Sequence, residues 1–162
     1  MKNKYDVCIV GGLGHVGLPL GIVFASKGLK VCLQDINEKS ASLVRKGILP
    51  FIEYDAESLL KESLDKGNLS VSLDPNAISE AKYIIIAIGT PVDEYMNSRT
   101  TEFLEFIKSL KKHLKPGQVI IIRSSVAPGT CEQIMRTLGE QENWKLSYCP
   151  ERIVQGYAVQ EL

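Results

Sequence analysis

Short apolar runs alternate with stretches of helical spacing along the whole chain. Tyr5-Asp6-Val7-Cys8-Ile9-Val10 predicts a strand over Asp6–Val10, and Val16 to Lys27 predicts the helix after it. Lys30-Val31-Cys32-Leu33-Gln34-Asp35 reads as a second strand, followed by a helix after Asn37 and another over about residues 55–66. Leu69–Leu73 is a short third strand, and Asp74-Pro75 opens a helix with an N-cap carboxylate and Pro at the first helical position. The continuous apolar run Lys82-Tyr83-Ile84-Ile85-Ile86-Ala87-Ile88 predicts a central strand buried on both faces. Thr100 to Leu114 has helical spacing at Phe103, Phe106, Ile107 and Leu110, cations suited to the helix dipole in its last turn, and Pro116-Gly117 as its stop. Gln118–Ile122 is a further strand, Thr130-Cys131-Glu132-Gln133 has the form of a capping box, and Lys145–Tyr148 is the last strand. Strands and helices alternating along the chain predict an α/β protein, a parallel sheet with helices on both faces in three α/β/α layers. Gly47-Ile48-Leu49-Pro50-Phe51-Ile52-Glu53 alone has no clear period, and reads either as a buried loop or as an apolar edge awaiting another domain.

Between the first strand and the first helix stands Gly12-Leu13-Gly14-His15-Val16-Gly17. Gly12 is expected to let the chain turn sharply out of the strand. Gly14 removes a side chain where backbone must approach a pyrophosphate, and Gly17 lets the helix lie close to the sheet. Unpaired N–H groups at the start of that helix would receive the phosphates. About 20 residues on, Asp35 ends the second strand, where a carboxylate accepts hydrogen bonds from an adenosine ribose and repels a 2′-phosphate. The combination points to a Rossmann-type doubly wound sheet, with NAD as cofactor in preference to NADP. Asp35 has a plainer alternative as a solvated turn residue at the start of the next helix, and Lys39 and Arg45 are nearby cations.

At 162 residues the chain is one domain's worth. Lys plus Arg and Asp plus Glu are equal at 19 each, so no net field recruits nucleic acid or an anionic membrane. No apolar run reaches the length of a membrane span, and Met1-Lys2-Asn3-Lys4 has no signal-peptide pattern, so a cytoplasmic location is expected. Cys8, Cys32, Cys131 and Cys149 form no C-x-x-C pair, which gives no support to a metal site or a disulfide framework. Cys8 and Cys32 read as small buried hydrophobes on strands, and Cys131, in the first turn of a helix, as a thiol whose pKa the helix would lower.

Several motifs in order carry a resemblance: Gly12-Leu13-Gly14-His15-Val16-Gly17-Leu18-Pro19, Asp35-Ile36-Asn37, Gly47–Glu53, Gly89-Thr90-Pro91, Arg123-Ser124-Ser125-Val126-Ala127-Pro128-Gly129-Thr130, and Cys149-Pro150-Glu151-Arg152-Ile153-Val154-Gln155-Gly156. Together they resemble the N-terminal, NAD-binding part of the nucleotide-sugar 6-dehydrogenases, and the last motif is most similar to the branch that oxidises UDP-N-acetylmannosamine. The resemblance implies oxidation of a sugar's C6 hydroxymethyl to a carboxylate for polysaccharide biosynthesis, through a cysteine-bound intermediate that divides one hard oxidation into easier steps. It also implies that 1–162 is one NAD-binding domain. The central helix and the C-terminal UDP-binding half, with the catalytic cysteine and lysine, are then absent from the chain. The fragment alone is expected to bind NAD, to be inactive and to be monomeric, whereas the full-length enzyme would be a homodimer.

By the same resemblance, Gly12, Leu13, Gly14, His15, Val16, Gly17, Asp35, Gly89, Thr90 and Ser125 contact the cofactor. Glu151 and Ser125 act near the reacting carbon, and Arg152 and Ile153 contact the nucleotide-sugar. Ser125 stands where the family usually has Thr, keeping the hydroxyl without the methyl that restricts χ1. A carboxylate at 151 suits general-base work, although from the residues alone it could equally pair with a neighbouring Lys or Arg on the surface. Gly89-Thr90-Pro91 could likewise be a plain strand-ending turn. His15 contributes its backbone N–H, and His113 reads as a solvated helix-end residue. Gln155 occupies the place of a second glutamate found in the UDP-glucose branch, which argues against UDP-glucose. The rival readings are a dehydrogenase of the 3-hydroxyacid or 6-phosphogluconate type, and a stand-alone NAD-binding regulatory module.

Overall fold

In the computed structural model residues 3–90, 94, 99–139 and 144–162 are described. The elements run β1 (Tyr5–Val10), α1 (Gly17–Ser26), β2 (Val31–Gln34), α2 (Glu38–Arg45), α3 (Ala56–Asp65), β3 (Leu69–Ser72), a 3-10 helix (Pro75–Glu80) and β4 (Ala81–Ile86). Then come α4 (Thr100–Leu110), a 3-10 turn (Lys111–His113), β5 (Val119–Ile122), α5 (Thr130–Leu138), β6 (Lys145–Tyr148) and α6 (Ala158–Glu161). The six strands form one sheet in the order β3-β2-β1-β4-β5-β6, every neighbouring pair parallel. This is the Rossmann-type doubly wound order, and the chain reverses its direction of travel across the sheet between β1 and β4.

Alternation along each strand sends its side chains into two cores. Val7, Ile9, Leu33 and Ile85 pack with Leu18, Ile22 and Leu60 under α1 and α3. Cys8, Val10, Ile84, Ile86, Ile120 and Ile122 pack with Phe103, Ile107 and Ile134 under α4 and α5. The three layers expected from the alternation are thus present. Cys8 and Cys32 lie side by side in the β1–β2 register, buried and unoxidised. The Cys8 thiol is pushed up by its hydrogen bond to Cys32 and by burial.

Local chemistry accounts for most boundaries. Asn37 caps α2 by accepting from the Ser40 N–H at 3.0 Å. Asp74 accepts from the Asn76 N–H at 2.9 Å as expected, but starts a 3-10 helix of six residues. The helix expected to Leu114 is α-helical only to Leu110 and tightens into the 3-10 turn. His113, expected to be solvated, is half-buried and its Nδ1 lies 3.1 Å from Asn76 Oδ1. Two further expectations fail. β4 ends at Ile86, two residues short of the expected run, although the Ala87 N–H still donates to the Val10 carbonyl at 2.9 Å. The capping box at Thr130 does not form: Gly129, at φ +82°, is the N-cap, and the buried Thr130 Oγ1 has no partner among the described residues.

Gln118, just before β5, is buried and satisfied from three sides. Its Nε2 donates to the carbonyls of Ile78 and Ala81 at 2.8 and 2.7 Å, and its Oε1 accepts from the Lys115 N–H at 2.7 Å. These bonds fix the start of β5 against that of β4. Among the described residues no helix is long and apolar enough to cross a membrane.

Candidate functional site

The glycine turn leaves β1 at the switch point. Gly11 and Gly12 both donate to the Gln34 carbonyl at 3.0 Å, which ties the turn to the end of β2. The expected division of labour among the glycines needs one correction. The positive φ of the turn, +77°, belongs to Gly11, while Gly12 is required for space: a Cβ there would stand 2.8 Å from Leu33 Cα and 2.7 Å from the Ile9 carbonyl oxygen. A Cβ on Gly17 would meet the Gly11 carbonyl oxygen at 2.4 Å, so its lack of a side chain brings α1 against the turn. At Gly14 the nearest protein atom would be 3.5 Å away, an ordinary contact. Nothing in the protein demands a glycine at that place.

The backbone N–H groups of His15 and Val16 have no protein partner among the described residues. Val16 is the N-cap of α1, with no side-chain cap and no acidic residue in the first turn to compete for these donors. Free donors at a helix N-terminus, beside a backbone that admits close approach at Gly14, fit the pyrophosphate of a dinucleotide.

Asp35 follows β2 and is partly buried. Its Oδ2 accepts from the Leu13 N–H at 3.0 Å, and its Oδ1 accepts from Ile36 and Asn37 at 2.7 and 3.1 Å. A carboxylate offers about four lone-pair sites; three N–H donors leave room for a ribose hydroxyl on Oδ2. The plainer alternative, a turn residue, is thus half right, because Asp35 also builds the turn after β2. Arg45, a cation that could have met a 2′-phosphate, donates instead to the Val71 carbonyl at 3.1 Å.

Across the switch point, the residues after β4, β5 and β6 surround a cavity of about 260 Å³ lined by Val16, Thr90, Ser125, Glu151, Ile153 and Gln155, among others. Thr90 is half-buried and Ser125 exposed, while Pro91 lies outside the described residues. Ser124 points inward, donating from Oγ to the Ile88 carbonyl at 2.6 Å and so holding the loop after β5 to the loop after β4. Arg152 is exposed and is not part of the cavity wall, whereas Ile153 is.

Glu151 is ion-paired with Arg123, the side chains being 12% and 19% exposed. Its Oε1 accepts from the N–H groups of Arg152 and Ile153 at 2.6 and 3.0 Å. The alternative reading of Glu151 as a partner of a neighbouring Arg is therefore realised, although not at the surface. Arg123 also donates to the Cys149 carbonyl at 3.3 Å, tying β5 to the end of β6. Its place in the wall was not foreseen. The signal was its position, first after a buried strand and beside Ser124 and Ser125.

The irregular segment 47–55 reaches the same end of the sheet. Phe51 lies against the His15 ring with centroids 4.0 Å apart. Glu53, 5% exposed, accepts through Oε2 from the Gly156 N–H at 3.2 Å and through Oε1 from the Val159 N–H at 3.0 Å. Ile48 and Ile52 remain 47% and 75% exposed, so the segment is neither wholly buried nor wholly an open edge. Away from the site, Cys131 departs from expectation: burial, and then the charge of Glu132, push its thiol up where a lowered value was expected. The described residues contain no cluster of three or more His, Cys, Asp or Glu able to hold a metal ion.

The chain is 34% identical over 166 residues to a UDP-N-acetyl-D-mannosamine dehydrogenase of Methanococcus aeolicus, an alignment covering 99% of this chain and 37% of that one. It superposes on the UDP-N-acetyl-mannosamine dehydrogenase of Staphylococcus aureus with a TM-score of 0.84 and 31% identity, over 96% of this chain and 39% of that one. A GDP-mannose dehydrogenase from Pseudomonas aeruginosa shares the fold, with a TM-score of 0.87 at 22% identity over 96% of this chain and 38% of that one. The chain thus spans well under half the length of these relatives. Residues 5–162 match the model of the NAD binding domain of the UDP-glucose/GDP-mannose dehydrogenase family, and the chain belongs to that family.

Proposed function

We propose that this chain is the cofactor-binding part of an NAD-dependent nucleotide-sugar 6-dehydrogenase whose substrate is UDP-N-acetylmannosamine. The observation that carries this reading is the junction of two half-sites at the carboxyl ends of the strands. The glycine turn and Asp35 lie on one side, and the cavity bearing Thr90, Ser125 and Glu151 on the other. The N–H groups of His15 and Val16 hold the pyrophosphate, Asp35 the adenosine ribose, and Gly89, Thr90 and Ser125 the nicotinamide end. NAD, when bound, supplies the hydride acceptor for oxidation of an alcohol carbon.

Glu151 stands in the wall of the cavity and acts on a proton near the reacting carbon, directly or through a water. Its pairing with Arg123 orients the carboxylate, and Ser125 offers an exposed hydroxyl to a water or the substrate oxygen. Arg152 and Ile153 contact the nucleotide-sugar, an exposed guanidinium being suited to phosphate. The sugar assignment is supported by the relatives, two of which are named for UDP-N-acetylmannosamine, and by Gln155 in the cavity wall. The product uronate would enter polysaccharide synthesis in the cytoplasm.

Calorimetric titration of the 162-residue chain tests the cofactor half. NAD is expected to bind more tightly than NADP, and Asp35→Ala to weaken NAD. Binding of neither dinucleotide would refute the reading. Incubation with NAD and UDP-N-acetylmannosamine is expected to yield no NADH from the chain alone, which is also expected to run as a monomer in sedimentation.

A further inference from the structure

Glu53 is a buried carboxylate that neither the glycine turn nor the cavity accounts for. Burial of a carboxylate costs several kcal/mol unless it is well bonded, and no ion pair of Glu53 occurs among the described residues. Both oxygens instead accept backbone N–H groups more than 100 residues away, Gly156 on Oε2 and Val159 on Oε1. The clasp is reinforced around it. The Tyr54 N–H donates to the Gly156 carbonyl at 2.8 Å, the Tyr54 and Tyr157 rings are 4.9 Å apart, and Gln160 Nε2 donates to Asp55 Oδ2. The held segment is the continuation of Glu151-Arg152-Ile153, and Gln155, next to the clasped Gly156, lines the cavity. Two residues before Glu53, Phe51 stacks on His15 of the glycine turn.

We propose that Glu53 is a positioning residue: by clasping Gly156 and Val159 it sets where Glu151, Ile153 and Gln155 stand against the nicotinamide end of the site. This rests on the NAD reading above. The chemistry requires a carboxylate. Two convergent N–H donors need two acceptors, and a glutamine of the same shape would turn its NH2 toward one of them. The clasp also joins the two half-sites, since one loop touches the glycine turn through Phe51 and the Glu151 segment through Glu53. Glu53 alone among these contacts holds Gly156 and Val159 at once; the Arg123–Glu151 pair, the Val154 N–H on Glu161 at 2.8 Å and the Tyr54–Gly156 bond hold the segment at single points.

Hydrogen exchange by NMR on the whole chain tests this with Glu53→Gln, and with Val159→Pro, which deletes one of the two donors in the first turn of α6, where proline is tolerated. The Arg152 and Ile153 amides, bonded to Glu151 and not to Glu53, are expected to exchange about tenfold faster in both variants, with β1 and β4 amides unchanged. Titration adds a second readout. Both variants are expected to lose about threefold or more in NAD affinity by lost preorganisation, while ADP-ribose, which lacks nicotinamide, binds as in the wild type. If Glu53→Gln fails to fold, Val159→Pro decides.

Faster exchange confined to Gly156 and Val159, or an equal loss for NAD and ADP-ribose, would assign Glu53 to the fold alone and overturn the inference. An unchanged NAD affinity in the variants would overturn it as well. Wild-type chain that binds neither ligand would refute the NAD reading, and with it the cofactor readout; the exchange of Arg152 and Ile153 would then decide by itself whether Glu53 positions the segment.

Discussion

The β1–β2 half of the site and the β5–β6 half are held together by different physics. Around the glycine turn, backbone lies on backbone: Gly12 and Gly17 leave no room for a Cβ, and β2 is buried along its whole length. At the other end of the sheet β6 is an edge strand exposed at three of its four positions. There the loops are joined by polar contacts, Arg123 to Glu151, Ser124 to the Ile88 carbonyl, and Glu53 to two amides. The close-packed half has one geometry because overlap is prohibitive. The polar half keeps its geometry only while a few directional bonds persist, which suits the proposed role of this wall in admitting a substrate. It is also the half that a single side chain can loosen.

The strongest way to break this contrast is to put a methyl group into the packed half. Gly17→Ala places a Cβ 2.4 Å from the Gly11 carbonyl oxygen and should cost about 3 kcal/mol of stability in urea unfolding, with dinucleotide binding abolished. A stable Gly17→Ala chain would mean that the turn yields more easily than its contacts imply.

Asp35→Ala removes the acceptor of three N–H groups as well as the proposed ribose ligand, and should weaken NAD by about 10- to 100-fold in calorimetry, or roughly 1.4–2.8 kcal/mol. It should also erase the preference over NADP. Glu151→Gln probes the polar half: it keeps a carbonyl oxygen for Arg152 and Ile153 but discharges the partner of Arg123. Stability should fall by about 1 kcal/mol, and NAD affinity should change less than for Asp35→Ala. A larger loss of NAD affinity than Asp35→Ala causes would reverse the ranking of the two halves. The smallest effect belongs to Ser125→Ala, whose exposed hydroxyl should leave stability within about 0.5 kcal/mol of wild type in the same unfolding experiment.

The two halves also differ in how much of them the chain displays before it folds. Gly12, Gly14, Gly17 and Asp35 form a local code. Their spacing states a strand, a turn, a helix and a second strand end, and the structure joins them through the Leu13–Asp35 bond. The role of Gly11 escaped because a positive φ has no sequence mark when several glycines are adjacent. Glu151 and Ser125 were legible only through the resemblance, and Arg123 and Glu53 not as site residues at all. Their partners lie far along the chain, 106 residues in the case of Glu53 and Val159. The failed capping box at Thr130 teaches the same lesson from the other side: the right residues stood in order, but the chain entered α5 through Gly129 and buried the hydroxyl.

The sequence by itself determined the alternation of elements, the two-faced sheet, the glycine turn and the acidic end of β2, because each depends on periodicity or on contacts within one βαβ unit. Only the tertiary structure decided which polar groups meet at the far side of the switch point, that Glu151 is held by Arg123, and that an irregular loop clasps the chain's last helix through Glu53. Hydrogen bonds and ion pairs of this kind depend on distance and direction between segments that no local pattern relates. They come into being when β4, β5 and β6 are laid side by side and the loop between α2 and α3 is brought to the same end of the sheet.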